Sequence, residues 1–367
     1  MLLQRCFVFS YFCRYCMQQH TQHIRYMQRC LQLAALGNGY VAPNPMVGAV
    51  LVYNDTIIGE GYHQQYGKAH AEVNCLQSVA QEHQCLIAAA TLYVSLEPCN
   101  HFGKTPPCVD AILKHNIKHV VIGCVDTYSE VAGMGIERLR SHGVEVEVGI
   151  LEDAALYLNR KFFTYHTQQR PHITLKWAQT ADGFIGTSTH RVLISNAISQ
   201  RFTHRLRSSN AAIVVGSNTA LLDNPLLDHR LGFGRPPVRM LIDRYGKVPV
   251  THHLLQSTSA PTWVFTVRED YTFPEHIGVV KINEHENTLQ QVLQYAYENK
   301  IQSILVEGGA VLLQAFIAAQ LWDEAYVITN TAMYLQQGIK APKLQGKTSI
   351  VHQFENDCIT LIEPEKN

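Results

Sequence analysis

His70-Ala71-Glu72, Glu97-Pro98-Cys99 and Pro106-Pro107-Cys108 are the stretches on which the reading of this 367-residue chain turns. One imidazole and two thiolates form a donor set suited to a borderline-soft ion such as zinc, and three protein ligands leave a fourth position open to water. Water on such an ion has its pKa lowered from 15.7 to roughly 7, which makes a nucleophile available at neutral pH. His70, Cys99 and Cys108 supply the ligands, so Glu72 is free to move protons. A His-x-Glu triplet by itself arises on the order of once by chance in a chain this rich in His and Glu, so the flanking elements have to carry the argument.

Those elements agree. Val47–Val52 and Ile57–Tyr62 read as a strand pair, His70–Ala80 as a helix, and Leu92–Leu96 as a strand that stops just before Pro98-Cys99. Each Pro-Cys step sets a thiolate at an element end, where a turn can present it to a metal. Zinc would then sit where two helix starts meet a strand end. The competing reading is ordinary core cysteines beside a capping histidine. The whole set matches the zinc deaminases, in which the glutamate is general acid/base rather than ligand and an amino group leaves a nucleobase-like ring. One departure from the usual C-x-x-C spacing stands out: eight residues, Asn100 to Pro107, separate the two cysteines. This insert carries His101 and Lys104, a donor and a cation able to meet a phosphate or ring carbonyl; a plain solvated loop is the alternative.

Downstream, helices at Val109–His115 and Gly135–His142 flank a strand at Lys118–Gly123, and the alternation can be followed to about Gly149. That order predicts a layered α/β sheet with helices on its faces. The first helix is expected over about Ile24–Leu36, with Ile24, Met27, Leu31 and Ala34 on one face. Met1 to His20 is rich in Cys, Phe and Tyr but has no small-residue cleavage site, so it does not read as a signal peptide. Residues 1–22 are an N-terminal extension of uncertain status, with Met17 and Met27 as alternative starts, and Cys13-x-x-Cys16 is a weak motif.

A boundary falls near Gln168-Gln169-Arg170-Pro171, because Pro171 disfavours helix before it. A second α/β domain follows, with strands at His172–Trp177, Ala211–Val215, Val238–Asp243, Thr262–Thr266, Ser303–Glu307 and Glu324–Thr329 and a helix at about Asn287–Asn299. No G-x-G-x-x-G is present, yet Val306-Glu307-Gly308-Gly309-Ala310 is a strand-to-helix turn whose helix start favours an anion, and Gly216-Ser217-Asn218-Thr219 offers a second.

Thirty basic and thirty acidic residues give no formal net charge, and 46% of residues are hydrophobic. A deaminase acting on a nucleic acid would need a basic face to neutralise phosphates, so a small substrate is expected and no nucleic acid. No run of eighteen apolar residues suggests a spanning helix or a membrane partner. Ten cysteines, two of them assigned to metal and others in apolar runs, fit a reduced, cytoplasmic compartment.

Asn44-Pro45-Met46-Val47-Gly48-Ala49-Val50, His70-Ala71-Glu72, Leu96-Glu97-Pro98-Cys99 and Gly103-Lys104-Thr105-Pro106-Pro107-Cys108 together resemble the deaminase half of the bifunctional riboflavin-biosynthesis deaminase/reductase family. Leu175-Lys176-Trp177-Ala178, Ala181-Asp182-Gly183, Arg207, Gly216-Ser217-Asn218-Thr219, Asp223-Asn224-Pro225 with Arg230, and Glu307-Gly308-Gly309 resemble its reductase half. The resemblance implies a cytidine-deaminase-like three-layer domain over 23–168 and a dihydrofolate reductase-like α/β domain over 171–364. It implies Zn2+ and NADPH as cofactors and a phosphorylated pyrimidine as substrate, deaminated first and then reduced at its ribosyl group. A homo-oligomer is expected.

In the deaminase half it implies substrate contacts at Asn44, His63, Lys104 and Thr105. In the reductase half it implies substrate at Arg191, Arg207, Leu226, Arg230 and Glu307. NADPH is implied at Ala178, Leu193, Thr219, Asp223 and the turn Gly309, Ala310, Val311, Leu312, Leu313, Gln314 and Ala315. Arg207 and Arg230 suit bidentate phosphate binding, Arg244 at a strand end could meet the cofactor's 2′-phosphate, and Lys176 and Asp182 are nearby polar groups. Leu193 stands where many members of the family have tryptophan, and Arg191 where many have serine. A deaminase whose second domain is degenerate is therefore the rival reading.

Overall fold

Continuous apolar runs in the central strands decide the layering, because successive side chains of a strand point to opposite faces and both faces must then be covered. The computed structural model describes residues 21–126, 132–232, 234–270 and 272–365, so Cys13, Cys16 and most of the N-terminal extension lie outside the described residues. The chain divides into two compact units between Thr167 and Gln168.

The first unit is a five-stranded sheet in the order β2-β1-β3-β4-β5, built from β1 (Gly48–Tyr53), β2 (Thr56–Tyr62), β3 (Thr91–Leu96), β4 (His119–Cys124) and β5 (Glu145–Val148). Strands β1, β2 and β3 pair antiparallel, whereas β3, β4 and β5 run parallel. Helix α1, over residues 21–35, covers one face, where Val50, Val52, Tyr93 and Val121 are buried. Helices α2 (Ala71–Gln77), α3 (Cys108–Lys114) and α4 (Met134–Ser141) cover the other, over Ala49, Leu51, Leu92, Val94, Val120 and Ile122. Three layers result. Helices α5 (Glu152–Leu158) and α6 (Arg160–Gln168) close the unit.

Two local expectations are corrected. Helix α1 buries Tyr26, Met27, Cys30, Leu33 and Ala34, a face rotated by about one residue from Ile24, Met27, Leu31 and Ala34; Ile24 and Leu31 are only partly buried. Tyr26 takes the inward position because its hydroxyl reaches Asp55, so an aromatic with a polar tip fills a site that pattern reading reserves for aliphatics. Helix α2 ends at Gln77 and not Ala80, since the Ser78 hydroxyl donates to the Cys75 carbonyl and accepts from the Glu60 amide.

The second unit is a nine-stranded sheet in the order β11-β10-β9-β8-β12-β6-β13-β16-β15. Its strands are β6 (His172–Thr180), β8 (Ala212–Gly216), β9 (Val238–Ile242), β10 (Thr262–Thr266), β11 (Ile277–Lys281), β12 (Ser303–Val306), β13 (Glu324–Asn330), β15 (Lys347–Phe354) and β16 (Asp357–Glu363); β7 (Phe184–Gly186) and β14 (Ile339–Lys340) form a separate pair. The strands from β11 to β13 are parallel, and the C-terminal hairpin adds antiparallel. Helices α7 (Ala197–Ser208), α8 (Ser217–Asp223), α9 (His253–Gln256), α10 (Thr288–Glu298) and α11 (Ala310–Ala318) accompany a sheet buried on both faces, as parallel strands require. Strand β12 returns to lie between β8 and β6, so the winding reverses there. A crevice at the carboxyl ends of such strands is where α/β sheets take ligands.

Gly61 of β2 lies against the backbone of α2: a Cβ there would sit 2.2 Å from the Cys75 nitrogen and 2.7 Å from the Ala71 carbonyl oxygen. Gly61→Ala therefore forces α2 off the sheet and is expected to cost roughly 1–3 kcal/mol, read as a lower midpoint in urea unfolding.

Candidate active sites

The imidazole and the two thiols meet where the starts of α2 and α3 face the end of β3. His70 is the residue before α2 and Cys108 the first of α3, and Cys99 follows β3 by three residues. His70 Nδ1 lies 3.5 Å from Cys99 Sγ and 3.3 Å from Cys108 Sγ, and the three atoms fall within 4.8 Å of one another. Donors this close, from a set of one nitrogen and two sulfurs, fit a tetrahedral zinc with its fourth position open. A hydrogen bond from the Cys108 thiol holds Cys99 well below the usual thiol range, with His70 assisting, while that same bond and burial push Cys108 up.

Glu72, in the first turn of α2, is buried and its Oε2 has no hydrogen-bond partner in the protein. Burial, and then the Cys99 thiolate, push its carboxyl up to about 7. A carboxyl poised at that value can both take and return a proton. His63 is buried beside His70, the rings edge to face at 5.2 Å. Its Nδ1 donates to the Ala69 carbonyl at 3.0 Å, which leaves Nε2 to accept from Asn44 Nδ2 at 3.2 Å. Burial lowers its pKa, so the ring is neutral. Lys104 is exposed, with Nζ 4.2 Å from the centroid of the Tyr66 ring, and Thr105 is half-buried beside it.

In the second unit a cavity of about 310 Å³ opens at the carboxyl ends of β6, β8 and β12. It is lined by Lys176 and Ala178 from β6, Thr219 and Asp223 from α8, and Glu307, Gly308 and Gly309 after β12. Arg207 on α7, Arg230, and the segment that includes Arg191 and Leu193 complete the wall. Helix α7 starts where the Asn196 side chain accepts from the Ile198 and Ser199 amides, an N-cap, and carries Arg207 in its last turn.

Charge at the base of this cavity is largely spoken for. Arg207 Nε and Nη2 donate to the two Glu307 oxygens at 2.6 and 2.8 Å, and Nη1 donates to the Asp228 carbonyl at 2.8 Å. The fork that suits a phosphate is therefore engaged by Glu307, 100 residues away in sequence. Arg230 pairs with both oxygens of Asp228. Burial lowers the pKa of Lys176, with Glu307 opposing that effect. Burial likewise raises Asp223 against the pull of Arg191 and Lys176. His204, one turn before Arg207, also lines the cavity; burial and the two arginines keep it neutral, and its Nδ1 has no partner.

Several expected residues stand elsewhere. Leu226 is 40% exposed and does not line the cavity; nor do Ala310, Val311, Leu312, Leu313, Gln314 and Ala315. The Leu313 side chain is fully buried in the core and is not available to a ligand, whereas Val311 at the start of α11 is exposed. Arg244 donates to the Glu284 carbonyl at 3.0 Å, away from the cavity wall. Asp182 accepts from Thr180, Leu335 and Gln336, which makes it a turn-holding carboxylate. Glu97 is the buried group beside the metal position that no spacing rule marks; four backbone amides bind its carboxylate.

Both halves match known families. Residues 20–124 match the model of the cytidine and deoxycytidylate deaminase zinc-binding region, and residues 171–333 that of the RibD C-terminal domain. Riboflavin biosynthesis protein RibD of Aquifex aeolicus is 40% identical over 326 residues, covering 88% of this chain and 87% of that protein. The chain belongs to the RibD family. The RibD of Escherichia coli is 35% identical over 338 residues, covering 88% of each. A crystal structure of a diaminohydroxyphosphoribosylaminopyrimidine deaminase/5-amino-6-(5-phosphoribosylamino)uracil reductase from Thermotoga maritima has a TM-score of 0.84 at 35% identity, covering 94% of this chain and 99% of that one.

The Arg207–Glu307 pair sets an acid limit on this chain. Burial alone would raise Glu307, yet Arg207 outweighs it and takes the carboxyl down to about 2. A depressed carboxylate stabilises the folded state above its unfolded pKa and loses that contribution as pH falls toward the folded one. Wild-type stability is expected to fall between about pH 5 and pH 2, and Glu307→Gln to flatten that limb while lowering stability at pH 7. Chemical denaturation followed across pH checks both.

Proposed function

We propose that this chain catalyses two consecutive steps of riboflavin biosynthesis on one phosphorylated pyrimidine. The first is hydrolytic deamination of 2,5-diamino-6-(5-phosphoribosylamino)pyrimidin-4(3H)-one over residues 23–168. The second is NADPH-dependent reduction of the ribosyl group of 5-amino-6-(5-phosphoribosylamino)uracil to ribityl over residues 171–364. The observation that carries the reading is the convergence of His70 Nδ1, Cys99 Sγ and Cys108 Sγ within 4.8 Å beside the unpartnered Oε2 of Glu72. The parallel-sheet cavity supports the second activity.

In the first step, bound zinc supplies the Lewis acidity that makes water nucleophilic at neutral pH. Glu72 takes the proton of the attacking water and hands it on toward the departing amine, so that water and the aminopyrimidine become a uracil and ammonia. Neutral His63 orients Asn44 through its Nε2, Asn44 presents its amide to the ring, and Lys104 with Thr105 borders the entrance. In the second step NADPH supplies the hydride. Reduction at C1′ of the sugar would draw on that hydride, and the ring oxygen released as the chain opens would need a proton from the protein. Lys176, half-buried on the cavity wall, is the proton donor on this reading, and desolvation that lowers its pKa favours giving the proton up. Glu307 accepts from sugar hydroxyls with the lone pairs that Arg207 leaves, while Arg230 and Arg191 face the phosphate. Leu193, 63% exposed on the cavity wall, offers the cofactor an aliphatic surface where many relatives offer an aromatic plane.

A formal charge of zero supports a small substrate over a nucleic acid. Among the described residues no helix is long and apolar enough to cross a membrane. The described cysteines are free thiols, which supports a reducing, cytoplasmic setting, and self-association into a homo-oligomer is part of the same proposal. The deaminase-only alternative is not favoured, because charged groups in the second unit are assembled around an open cavity and not filled in by core side chains.

The test is to incubate zinc-loaded protein with the diaminopyrimidine ribosyl phosphate, with and without NADPH, and to resolve products by mass. Ammonia and an aminouracil are expected without cofactor, and a two-hydrogen gain only with it; no gain would leave the second unit without its activity. Glu72→Gln is expected to slow ammonia release by roughly 10²–10⁴-fold and leave NADPH oxidation with the aminouracil substrate unchanged. Leu193→Trp is expected to lower the KM for NADPH by roughly 2–10-fold, the worth of one aromatic contact, measured by initial rates.

A further inference from the structure

In a C-x-x-C site one turn of chain sets the distance between the thiols. Here eight residues separate Cys99 from Cys108, and His101, Phe102, Gly103 and Lys104 of that insert are exposed. A solvated loop of this length has no single end-to-end distance, so another part of the fold must hold the two sulfurs together.

Helix α4 touches the segments on both sides. The buried Glu97 carboxylate reaches it from the residue before Pro98-Cys99: Oε1 accepts from the Gly135 and Ile136 amides at 2.9 and 3.3 Å, and Oε2 from the Gly133 and Asp126 amides at 3.0 and 3.2 Å. The start of the helix is thus satisfied by a carboxylate placed where the helix dipole favours one. Gly135 lets the two backbones close up, because a Cβ there would lie 2.2 Å from the Pro98 carbonyl oxygen. Three residues on and on the same face, Arg138 donates from Nη1 to Asn100 Oδ1 at 2.8 Å and from Nη2 to Asp110 Oδ1 at 2.5 Å. Asn100 directly follows one cysteine, and Asp110 lies two residues after the other. A planar guanidinium spans both acceptors at fixed separation.

We infer that α4, which contributes no ligand, is the template that sets the Cys99–Cys108 spacing, with Glu97 and Arg138 as positioning residues for zinc. Glu97 fixes the approach to Cys99 from the strand side, and Arg138 ties the first residue of the insert to the first turn of α3. The Cys108 amide, 3.3 Å from Cys99 Sγ, is aligned by the same clamp. This inference rests on the zinc reading given above.

The test uses the full chain with Arg138→Ala, Arg138→Lys and Glu97→Gln. Zinc affinity is measured by chelator competition, and sulfur geometry by the thiolate-to-cobalt absorption of the Co(II)-substituted protein. Arg138→Ala and Glu97→Gln are expected to bind zinc roughly 10–100-fold more weakly and to lose intensity in the cobalt band. Arg138→Lys is expected to recover part of the affinity, since an ammonium satisfies one acceptor but not both. Thermal unfolding and NADPH binding serve as controls on the fold. Wild-type zinc affinity and an unchanged cobalt spectrum in both disruptive variants would overturn the inference alone. Failure of the wild-type chain to bind zinc would overturn the metal reading as well. Weak zinc binding accompanied by loss of cooperative unfolding, with no recovery in the lysine variant, would count against the inference, because it reports general unfolding and not lost positioning.

Discussion

Holding one imidazole nitrogen and two sulfurs within 4.8 Å, from three separate elements, is the constraint on which the first unit depends. Three ligands on one short segment would need only a turn; three on α2, α3 and the end of β3 need a sheet that puts those ends side by side. Strand β3 is central in its sheet, and the two helices lie over the same face, so their starts converge beyond its carboxyl end. Close approach is then a matter of bulk, and Gly61 under α2 and Gly135 under the Pro98 carbonyl are where a side chain would have kept the backbones apart. Burial at the same point gives Glu72 its raised pKa. The geometry that gathers the three donor atoms therefore also raises the pKa of Glu72.

The second unit applies the same principle to a different sheet. Reversal of winding at β12 opens a crevice among the ends of β6, β8 and β12, and Lys176 from β6, Arg207 from α7, Asp223 from α8 and Glu307 after β12 line it. Buried charges are tolerable only when paired and hydrogen-bonded, and Arg207 with Glu307 meets that condition with two short bonds. The pair fixes the cavity floor and leaves Lys176 and His204 as less committed polar groups on its wall. Chemistry in such a site comes from position and electrostatics, with the cofactor carrying the hydride.

Much of this was legible in local pattern. The strands expected at Val47–Val52 and Leu92–Leu96 appear as β1 and β3, buried on both faces, and the helix at Asn287–Asn299 appears as α10. Other features were readable but quiet. Asn196 caps α7 through two amides, yet a lone Asn before a polar stretch carries little weight. The C-terminal hairpin of β15 and β16 lacks the strong apolar signal of the central strands, because β15 is largely exposed. The inward face of α1 turns on Tyr26, whose hydroxyl needs a partner, Asp55, that only folding brings near.

The residue types and spacing of His70, Glu72, Cys99 and Cys108 determined the reaction chemistry of the first unit by themselves, since ligand softness and proton transfer are properties of side chains. Two sheets and the break before Pro171 followed equally from periodicity and proline geometry. Tertiary structure alone decided what long-range proximity controls. It paired Arg207 with Glu307 across 100 residues, withdrew Leu313 into the core, and set α4 against both cysteine segments. Pattern reports which face of an element is apolar; it does not report which distant element that face will meet, and charge pairing and ligand distance depend on that meeting.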